Sequence, residues 1–490
     1  MDSGSAAEPA TISRHRYYSR LAPHHGSSLV PPRALAEQLG WAYAAPAPFD
    51  QATSEGKQHS VVTIFTIWNT MMGTSLLSMP WAIDQAGLFL GLLVMFGMAA
   101  LTFYTAFLVV QSPKNLADPE PVEFSEVCRI FWGRPGEVVA VSFSAMVLLG
   151  GVVVYWVLMS NFLYHTGQVF IEALTPNDTI FPIMENNSFR CDFYCFGSLS
   201  PDNTTAPALH SDWWSLQGTV PVYLALLALP FVNFKSPTFF TRFNVLGTVS
   251  VVYLFILITV KAFKCGLNVS FDATSLHFTP PASWKLPSLT GTLALSYFIH
   301  NAILTILRNQ KTPQHNVRDL GIAFSLVALT YCYIGFLFYV SFPLSRVTDC
   351  IGQNFLDNFG STGDVMTAIA RLLLLFQLLA VLPVLLYLIR AQLSYTVFGD
   401  IYPGFWFVVA LNVAVMTFGI VIAVLYPNVG TILRFVGGFC GLVYIFALPS
   451  IVHLKRLQLE DKTTVFQWVV HCTIAAVGII NFVAQFFMKF

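Results

Sequence analysis

The chain has 490 residues, of which 55% are hydrophobic and only 10% charged, and its 25 basic and 25 acidic residues cancel to a formal net charge of zero. Soluble domains carry about 25% charged residues, so this composition indicates an integral membrane protein. The aromatic residues lie in apolar runs rather than between basic clusters, which argues against nucleic-acid binding.

The first 57 residues are polar and precede the apolar part of the chain, residues 58–490. We expect a cytosolic regulatory tail, 1–57, followed by one transmembrane domain, 58–490. Within the tail, RHRYYSRL (14–21) has too little apolar content to fold alone. Three hypotheses fit it: a basic segment attracted to anionic lipid, a tyrosine-based sorting signal, or a docking segment with Tyr18 and Leu21 as apolar anchors.

Eleven segments of the chain are long and apolar enough to cross a bilayer, which takes about 20 residues per helix. The sequence therefore predicts an all-α integral membrane protein with eleven transmembrane helices. The predicted spans are 60–87, 88–111, 138–172, 218–234, 241–264, 289–308, 320–343, 364–390, 404–427, 429–453 and 465–487.

The distribution of basic residues predicts the orientation of these spans. Seventeen Lys and Arg residues fall on the side of the N-terminus and seven on the other, which predicts a cytosolic N-terminus and a lumenal C-terminus. The acceptor tripeptides for N-linked glycans, which function only in the secretory lumen, fall on the same lumenal side. They are Asn177, Asn186 and Asn203 in a loop at 173–217 and Asn268 between spans 5 and 6.

Cysteines in the predicted lumenal loops indicate a disulfide. Cys191, Cys195 and Cys350 lie where oxidation is allowed. We expect Cys350 to pair with Cys191 or Cys195, and free thiols are the alternative. The sequence does not choose between the two partners.

The first span contains the stretch NTMMGTS (69–75), which is polar and weakly helical. A bilayer core has no water to satisfy loose backbone groups, so such a stretch must border a cavity enclosed by protein. Unwound backbone there offers amides to a carboxylate and carbonyls to an ammonium group or a cation. The alternative is that small residues only let two helices pack closely. The candidate substrate-binding residues are Asn69, Thr70, Met71, Met72, Gly73 and Thr74.

Many transporters pair such a broken helix with a second one in the other half of the chain. Span 6 has Ser296, His300 and Asn301 but no Gly or Pro to interrupt it, so the signal for a break is weaker there. We interpret His300 as a hydrogen-bonded packing residue rather than a proton relay. Arg371, near the start of span 8, is interpreted as a side chain that snorkels to the interface.

The spans hold few acids and no pattern of paired carboxylates, metal ligands or a nucleophile beside a base. A P-loop pattern is also missing from the sequence. We therefore expect neither an enzyme nor an ATP-driven pump, and no catalytic residue is assigned.

Stretches along most of the chain resemble the sodium-coupled neutral amino acid transporters, a family of the amino acid/auxin permease type. The resemblance implies a fold like that of LeuT, with two inverted five-helix repeats plus one extra helix. The stretches are IWNTMMGTSLLSMPWAIDQAG (67–87), VYWVLMSNFL (154–163), NFKSPTFFTRFNVLGTVSV (233–251), NVRDLGIA (316–323), CIGQNFLDNF (350–359) and FGDIYP (398–403).

Within this family the likeness is to a lysosomal, arginine-sensing member. It implies a place in the lysosomal or late endosomal membrane, arginine binding at residues 69–74 with Thr74 bordering the ligand, and export of leucine and glutamine. It also implies signalling to the growth-control complex mTORC1 through the Rag GTPases and Ragulator, with the lipid membrane and cholesterol as further partners. The alternatives are a general sodium- or proton-coupled neutral amino acid transporter without signalling, or a receptor with little flux.

One departure from the family concerns sodium. Sodium-coupled relatives place a threonine in span 8 before a VP-like pair, whereas this chain has Ala380 in LLAVLPV. Asn69 could offer one ligand to sodium, but the methyl group of Ala380 offers none. We therefore expect weak or absent sodium coupling and no other cofactor.

Overall fold

The structure is a computed structural model of the chain. It describes residues 58–114, 116, 123–174, 191, 193–195, 213–233, 245–308, 310–344, 350–359, 364–398 and 403–488. The tail residues Tyr18 and Leu21 and the glycan acceptors Asn177, Asn186 and Asn203 lie outside these ranges, so their roles stay predictions.

Helices dominate the described part of the chain, as predicted from the sequence. Short 3-10 turns at Thr74–Ser78 and Phe355–Asn358 and a π turn at Leu442–Ala447 join or extend them. The α-helices are α1 (Ser60–Met71), α2 (Met79–Ala86), α3 (Leu88–Gln111), α4 (Phe124–Leu174), α5 (Val220–Val232), α6 (Val245–Cys265), α7 (Leu286–Ser296), α8 (Ile303–Arg308), α9 (Asn316–Ser341), α10 (Val365–Phe398), α11 (Phe405–Leu425), α12 (Val429–Gly441), α13 (Leu448–Leu459) and α14 (Val465–Ala484).

Eight helical segments in the described ranges are long and apolar enough to cross a membrane, and the bent pair of α1 with residues 74–86 makes a ninth. Large apolar side chains also face outward, among them Trp406 at 80% and Phe487 at 81% exposure, as a lipid-facing surface requires. A multi-pass, all-helical membrane protein is thereby confirmed. The other two predicted spans, 218–234 and 289–308, correspond to the short α5 and to the separated helices α7 and α8, and the count of eleven stays a prediction.

The first break bends the α1–α2 pair by 55°. Glycine costs about 1 kcal/mol relative to alanine inside a helix, and Gly73 at the bend adopts extended backbone. Just before it, Thr70 Oγ1 donates to the carbonyl of Thr66 at 2.7 Å, a contact that bends helices. Pro80 has no N–H to continue the bonds of the preceding turn, so a new helix begins there.

The second break separates α7 from α8 at residues 297–302. It has neither glycine nor proline, and contacts with other helices hold it instead. The hydroxyl of Tyr331 on α9 donates to the carbonyl of Ser296 at 3.2 Å. His300 Nε2 lies 2.9 Å from Thr105 Oγ1 on α3, so His300 is a buried, hydrogen-bonded packing residue, as interpreted from the sequence.

Two disulfides fasten the end of the molecule that is predicted to be lumenal. Cys195 pairs with Cys350, with Cα atoms 4.5 Å apart, and Cys191 pairs with Cys265 at the end of α6, with Cα atoms 5.0 Å apart. Of the two partners that the sequence left open for Cys350, the structure selects Cys195. The sequence argument missed Cys265, because this residue follows directly on an apolar span.

Residues 350–359, here called the 350–359 loop, connect several helices at this end. The side-chain oxygen of Gln353 accepts hydrogen bonds from the N–H groups of Gly430 at 2.9 Å and Thr431 at 3.3 Å, at the start of α12. The Gln353 carbonyl accepts from Ser78 Oγ at 2.6 Å. The loop therefore joins the start of α12 to the segment that follows the first break.

Arg371 of α10 also holds the 350–359 loop. Its side chain is only 1% exposed, and Nη2 donates to the carbonyls of Leu356 at 2.8 Å and Phe359 at 3.1 Å. The interpretation of Arg371 as a snorkelling side chain is therefore wrong. Backbone carbonyls of the loop solvate the guanidinium group in place of water.

Candidate functional site

A cavity of about 180 Å³ lies between the two helix breaks. Residues 69–74, all of which the sequence predicts to bind substrate, line it. The structure thus brings two breaks that are more than 200 residues apart in sequence to one place. The other lining residues are Ser75, Val147, Leu148, Gly151, Val154, Tyr155, Gly247, Leu295, Ser296, Phe298, Asn301, Ala302, Gln377, Val381, Leu385 and Leu433.

The fully buried Tyr331 joins the two breaks. Its hydroxyl lies 2.5 Å from the carbonyl of Met71 and 3.2 Å from that of Ser296, the last residues of α1 and α7. Ser75 Oγ is 3.3 Å away from the same hydroxyl. Sequence reasoning missed Tyr331, because one tyrosine in an aromatic-rich apolar span carries no local signal.

The helical segment that starts at Thr74 presents its N-terminus at the cavity. The first N–H groups of a helix have no partner within the helix, and here Gly73 precedes them without a side-chain cap. Thr74 and Ser75 are buried, at 9% and 6% exposure, and both line the cavity. Such a terminus attracts an anionic group such as a carboxylate.

None of the described residues that line the cavity is Asp, Glu, Lys, Arg or His. The polar groups are hydroxyls and amides, and the rest of the wall is apolar. A zwitterionic ligand would therefore be neutralised by backbone dipoles rather than by charged side chains. The polar lining residues are Asn69, Thr70, Thr74, Ser75, Tyr155, Ser296, Asn301 and Gln377.

Asn69, the candidate sodium ligand, lies next to Gly247 of α6 and Gln377 of α10. A Cβ atom added at Gly247 would lie 3.0 Å from Asn69 Oδ1 and 3.2 Å from Gln377 Nε2. The two amides therefore occupy space that a larger residue at 247 would fill. Ala380 follows Gln377 by one turn of α10, and the predicted weakness of sodium coupling stays a prediction.

The predicted glycan acceptor Asn268 is half-buried after the end of α6. Its Nδ2 donates to the carbonyls of Cys265 at 3.2 Å and Ser341 at 3.0 Å. A glycan is attached through this same nitrogen, so glycosylation at Asn268 would remove one of its two N–H donors.

The family model for transmembrane amino acid transporter proteins matches residues 57–189 and 208–488. The sodium-coupled neutral amino acid transporter 9 homolog of Caenorhabditis elegans is 48% identical over 96% of this chain and 80% of its own length. The neutral amino acid transporter 9 of Rattus norvegicus is 43% identical over 98% and 89% of the two chains. That of Danio rerio is 40% identical over 99% and 92%.

Among solved structures, a manganese transporter of Eremococcus coleocola in complex with an aromatic bis-isothiourea compound aligns with 95% of this chain and 96% of its own. Its TM-score is 0.43 and its sequence identity 9%. This similarity is too low to support a conclusion about the chain.

Proposed function

Because the chain belongs to the transmembrane amino acid transporter family, we propose that it binds its amino acid substrates in the cavity between the two helix breaks and exports them across the lysosomal membrane. The observation that supports this site most is the convergence of residues 69–75 and of the second break on one uncharged cavity. Substrate sites of broken-helix transporters form in this way, at the point where two discontinuous helices meet.

In the proposed complex the substrate carboxylate lies at the uncapped N-terminus that begins at Thr74, where the helix dipole and free N–H groups favour an anion. The ammonium group lies near the C-terminal end of α1, where carbonyl groups and the side-chain oxygen of Asn69 are available. The side chain of the substrate then extends along the apolar wall formed by α4 and α10.

The proposal extends to arginine sensing at this site and to signalling. The family resemblance supports arginine, leucine and glutamine as substrates and the Rag GTPases and Ragulator as partners that relay occupancy to mTORC1. Tyr18 and Leu21 would supply the docking anchors. The competing functions are a neutral amino acid transporter without signalling and a receptor with little flux. The uncharged lining of the cavity favours neutral substrates, which is the observation in favour of the first of these.

Replacing Thr74 tests the site. The side chain of Thr74→Trp would fill much of the cavity of about 180 Å³, so we expect it to abolish binding of arginine, leucine and glutamine. The measurement is the binding isotherm of each amino acid on purified protein. Thr74→Ser, which keeps the hydroxyl and removes one methyl group, should bind within a few-fold of wild type. A well-folded Thr74→Trp protein with unchanged affinity would refute the assignment.

Binding and flux measured on the same reconstituted protein separate the competing functions. A transporter shows counterflow of labelled amino acid into preloaded vesicles, and Thr74→Trp should abolish it. A receptor shows saturable binding without counterflow.

A further inference from the structure

Part of the cavity wall is formed by α10. Gln377, Val381 and Leu385 line the cavity at intervals of four residues, which places them on one face of the helix. Gln377 is the polar member of this face. Gln377 therefore borders the part of the cavity that, in the proposed complex, holds the side chain of the substrate.

Gln377 stands beside a second amide. A Cβ atom added at Gly247 of α6 would come within 3.0 Å of Asn69 Oδ1 and 3.2 Å of Gln377 Nε2, so the two amides approach the same point next to this glycine. These two amides come from α10 and from the end of α1. A glycine between them leaves room for both side chains at the edge of the cavity.

The amide of Gln377 also has unused hydrogen-bonding capacity. Its Oε1 atom is buried and accepts no hydrogen bond from the described part of the chain. A buried acceptor without a donor is unfavourable, so a ligand that brings a donor would be stabilised there. Rotation about the last side-chain bond exchanges the oxygen and nitrogen, so Gln377 can offer an acceptor, a donor or both.

We propose that Gln377, placed beside Asn69 by Gly247, determines side-chain specificity and makes the cavity select amino acids with an uncharged amide at the end of their side chain over aliphatic ones. An amide ligand matches the donor and acceptor of Gln377 and needs no countercharge. A guanidinium group brings donors for Oε1, but the described lining holds no carboxylate to balance its charge. This inference rests on the proposed function.

The test is the ratio of glutamine to leucine uptake into vesicles that contain the full chain. Gln377→Leu keeps nearly the same volume and removes both polar atoms. Loss of a buried hydrogen bond to the substrate should lower kcat/KM for glutamine roughly 10- to 100-fold. Uptake of leucine should change by less than about 3-fold, because the apolar wall remains. Gln377→Glu should raise the preference for arginine over glutamine, since it adds a carboxylate.

Gln392→Leu is the matched control. Gln392 lies on the same helix, does not line the cavity and donates to Ser144 Oγ at 3.1 Å. It should leave the ratio of glutamine to leucine unchanged. If Gln377→Leu does not fold, Gln377→Met supplies the same measurement with an unbranched apolar side chain.

An unchanged ratio in a folded, transporting Gln377→Leu or Gln377→Met protein would overturn the inference and leave the proposed function standing. Wild-type protein that neither binds nor transports any amino acid would overturn the proposed function, and the inference with it.

Discussion

At the scale of single residues, the hydroxyl of Tyr331 holds the backbone at both helix breaks. Its one hydrogen is shared between the carbonyls of Met71, 2.5 Å away, and Ser296, 3.2 Å away, so removing the hydroxyl takes this donor from a buried place. Tyr331→Phe should therefore lower the free energy of unfolding by about 1–3 kcal/mol and weaken substrate binding, because both breaks border the cavity. Thermal melting and binding isotherms of the purified protein measure the two effects.

Tyr333→Phe serves as the control for Tyr331→Phe. Tyr333 lies on the same helix, is 39% exposed, and its hydroxyl bonds Thr259 Oγ1 at 2.7 Å. Because that bond joins α9 to α6 and touches neither helix break, Tyr333→Phe should leave substrate binding nearly unchanged. Equal effects of the two substitutions would contradict a special role for Tyr331.

The second prediction at this scale concerns sodium. Hard cations bind oxygen ligands, and the side chain of Ala380 offers none at the position where the family resemblance implies a threonine. Uptake by the wild-type protein should therefore depend weakly on sodium, and Ala380→Thr should gain a sodium dependence. Ala380→Val, which has the shape of threonine without the hydroxyl, should not. Steep sodium dependence of wild-type uptake that disappears in Asn69→Ala would show the prediction to be wrong.

The sequence predicts cavity residues well where the cause of their position is local. Residues 69–74 interrupt an apolar span with polar and small side chains, and this pattern is visible without any partner. Gln377 and Tyr331 depend on which spans meet in the folded chain, so no local pattern marks them. The burial of Arg371 has a cause of the same kind, because the carbonyls that surround it belong to a loop beyond the span.

At the scale of elements, the 350–359 loop contains a carboxyl group with a shifted pKa. Burial raises the pKa of Asp357 from 3.8 to about 6, while Arg371 and hydrogen bonds from Asn161 and Asn354 act in the opposite direction. The folded state therefore holds this proton more tightly than the unfolded chain. Stability falls as the pH rises from about 4 to 6 and changes little above that range.

From this shift, the wild-type protein should gain about 1 kcal/mol of stability from Asp357 between pH 7 and pH 5. Arg371, the charged neighbour of Asp357, also interacts with His165 on α4 and with Asp364, which pairs with Lys261 on α6. Asp357→Asn should reduce the difference in melting temperature between the two pH values, because asparagine does not titrate.

Asp272→Ala is the control for Asp357→Asn, since asparagine at 272 would create a glycan acceptor tripeptide with Thr274. Hydrogen bonds from Thr274 lower the pKa of this exposed carboxyl, so Asp272 is ionised at both pH 5 and pH 7. The substitution should therefore leave the difference in melting temperature between the two pH values unchanged. If wild type and Asp357→Asn show the same pH difference, the 350–359 loop does not respond to acid through Asp357.

The two helix breaks show where prediction of elements from sequence succeeds. Gly73 and Pro80 weaken the first helix by themselves, so its break is predictable from sequence. The break between α7 and α8 has neither glycine nor proline, and hydrogen bonds from α3 and α9 hold it open. Hydrogen bonds between helices that are distant in sequence cannot be recognised until the helices are assembled.

At the scale of the whole molecule, the tail and the cavity are proposed to serve one signal. Tyr18→Ala combined with Leu21→Ala should abolish capture of the Rag–Ragulator complex, because a lost buried anchor costs roughly 2 kcal/mol or more. Transport and lysosomal location should remain. Pull-down from cells and microscopy of the same cells give both readouts. As a control, Arg14→Ala with Arg16→Ala should mainly slow association, as loss of charges at the rim of an interface does.

Other outcomes of the tail experiment would favour the competing hypotheses. If the double variant still captures the complex but leaves the lysosome, the tail is a sorting signal. If the double variant still captures the complex and stays at the lysosome, and the arginine variant loses contact with anionic vesicles, the tail is a lipid-binding segment.

The two disulfides determine which parts of the molecule are free to move. Cys191 is bound to the end of α6 and Cys195 to the 350–359 loop. The two cysteines are four positions apart in the chain, so their Cα atoms can be no more than about 14 Å apart. These parts form one covalent frame. The contacts of the same loop with Ser78 and with the start of α12 are hydrogen bonds, which can break and re-form in every cycle. Any opening at this end must therefore move the segment after the first break, or α12, away from a frame that stays closed.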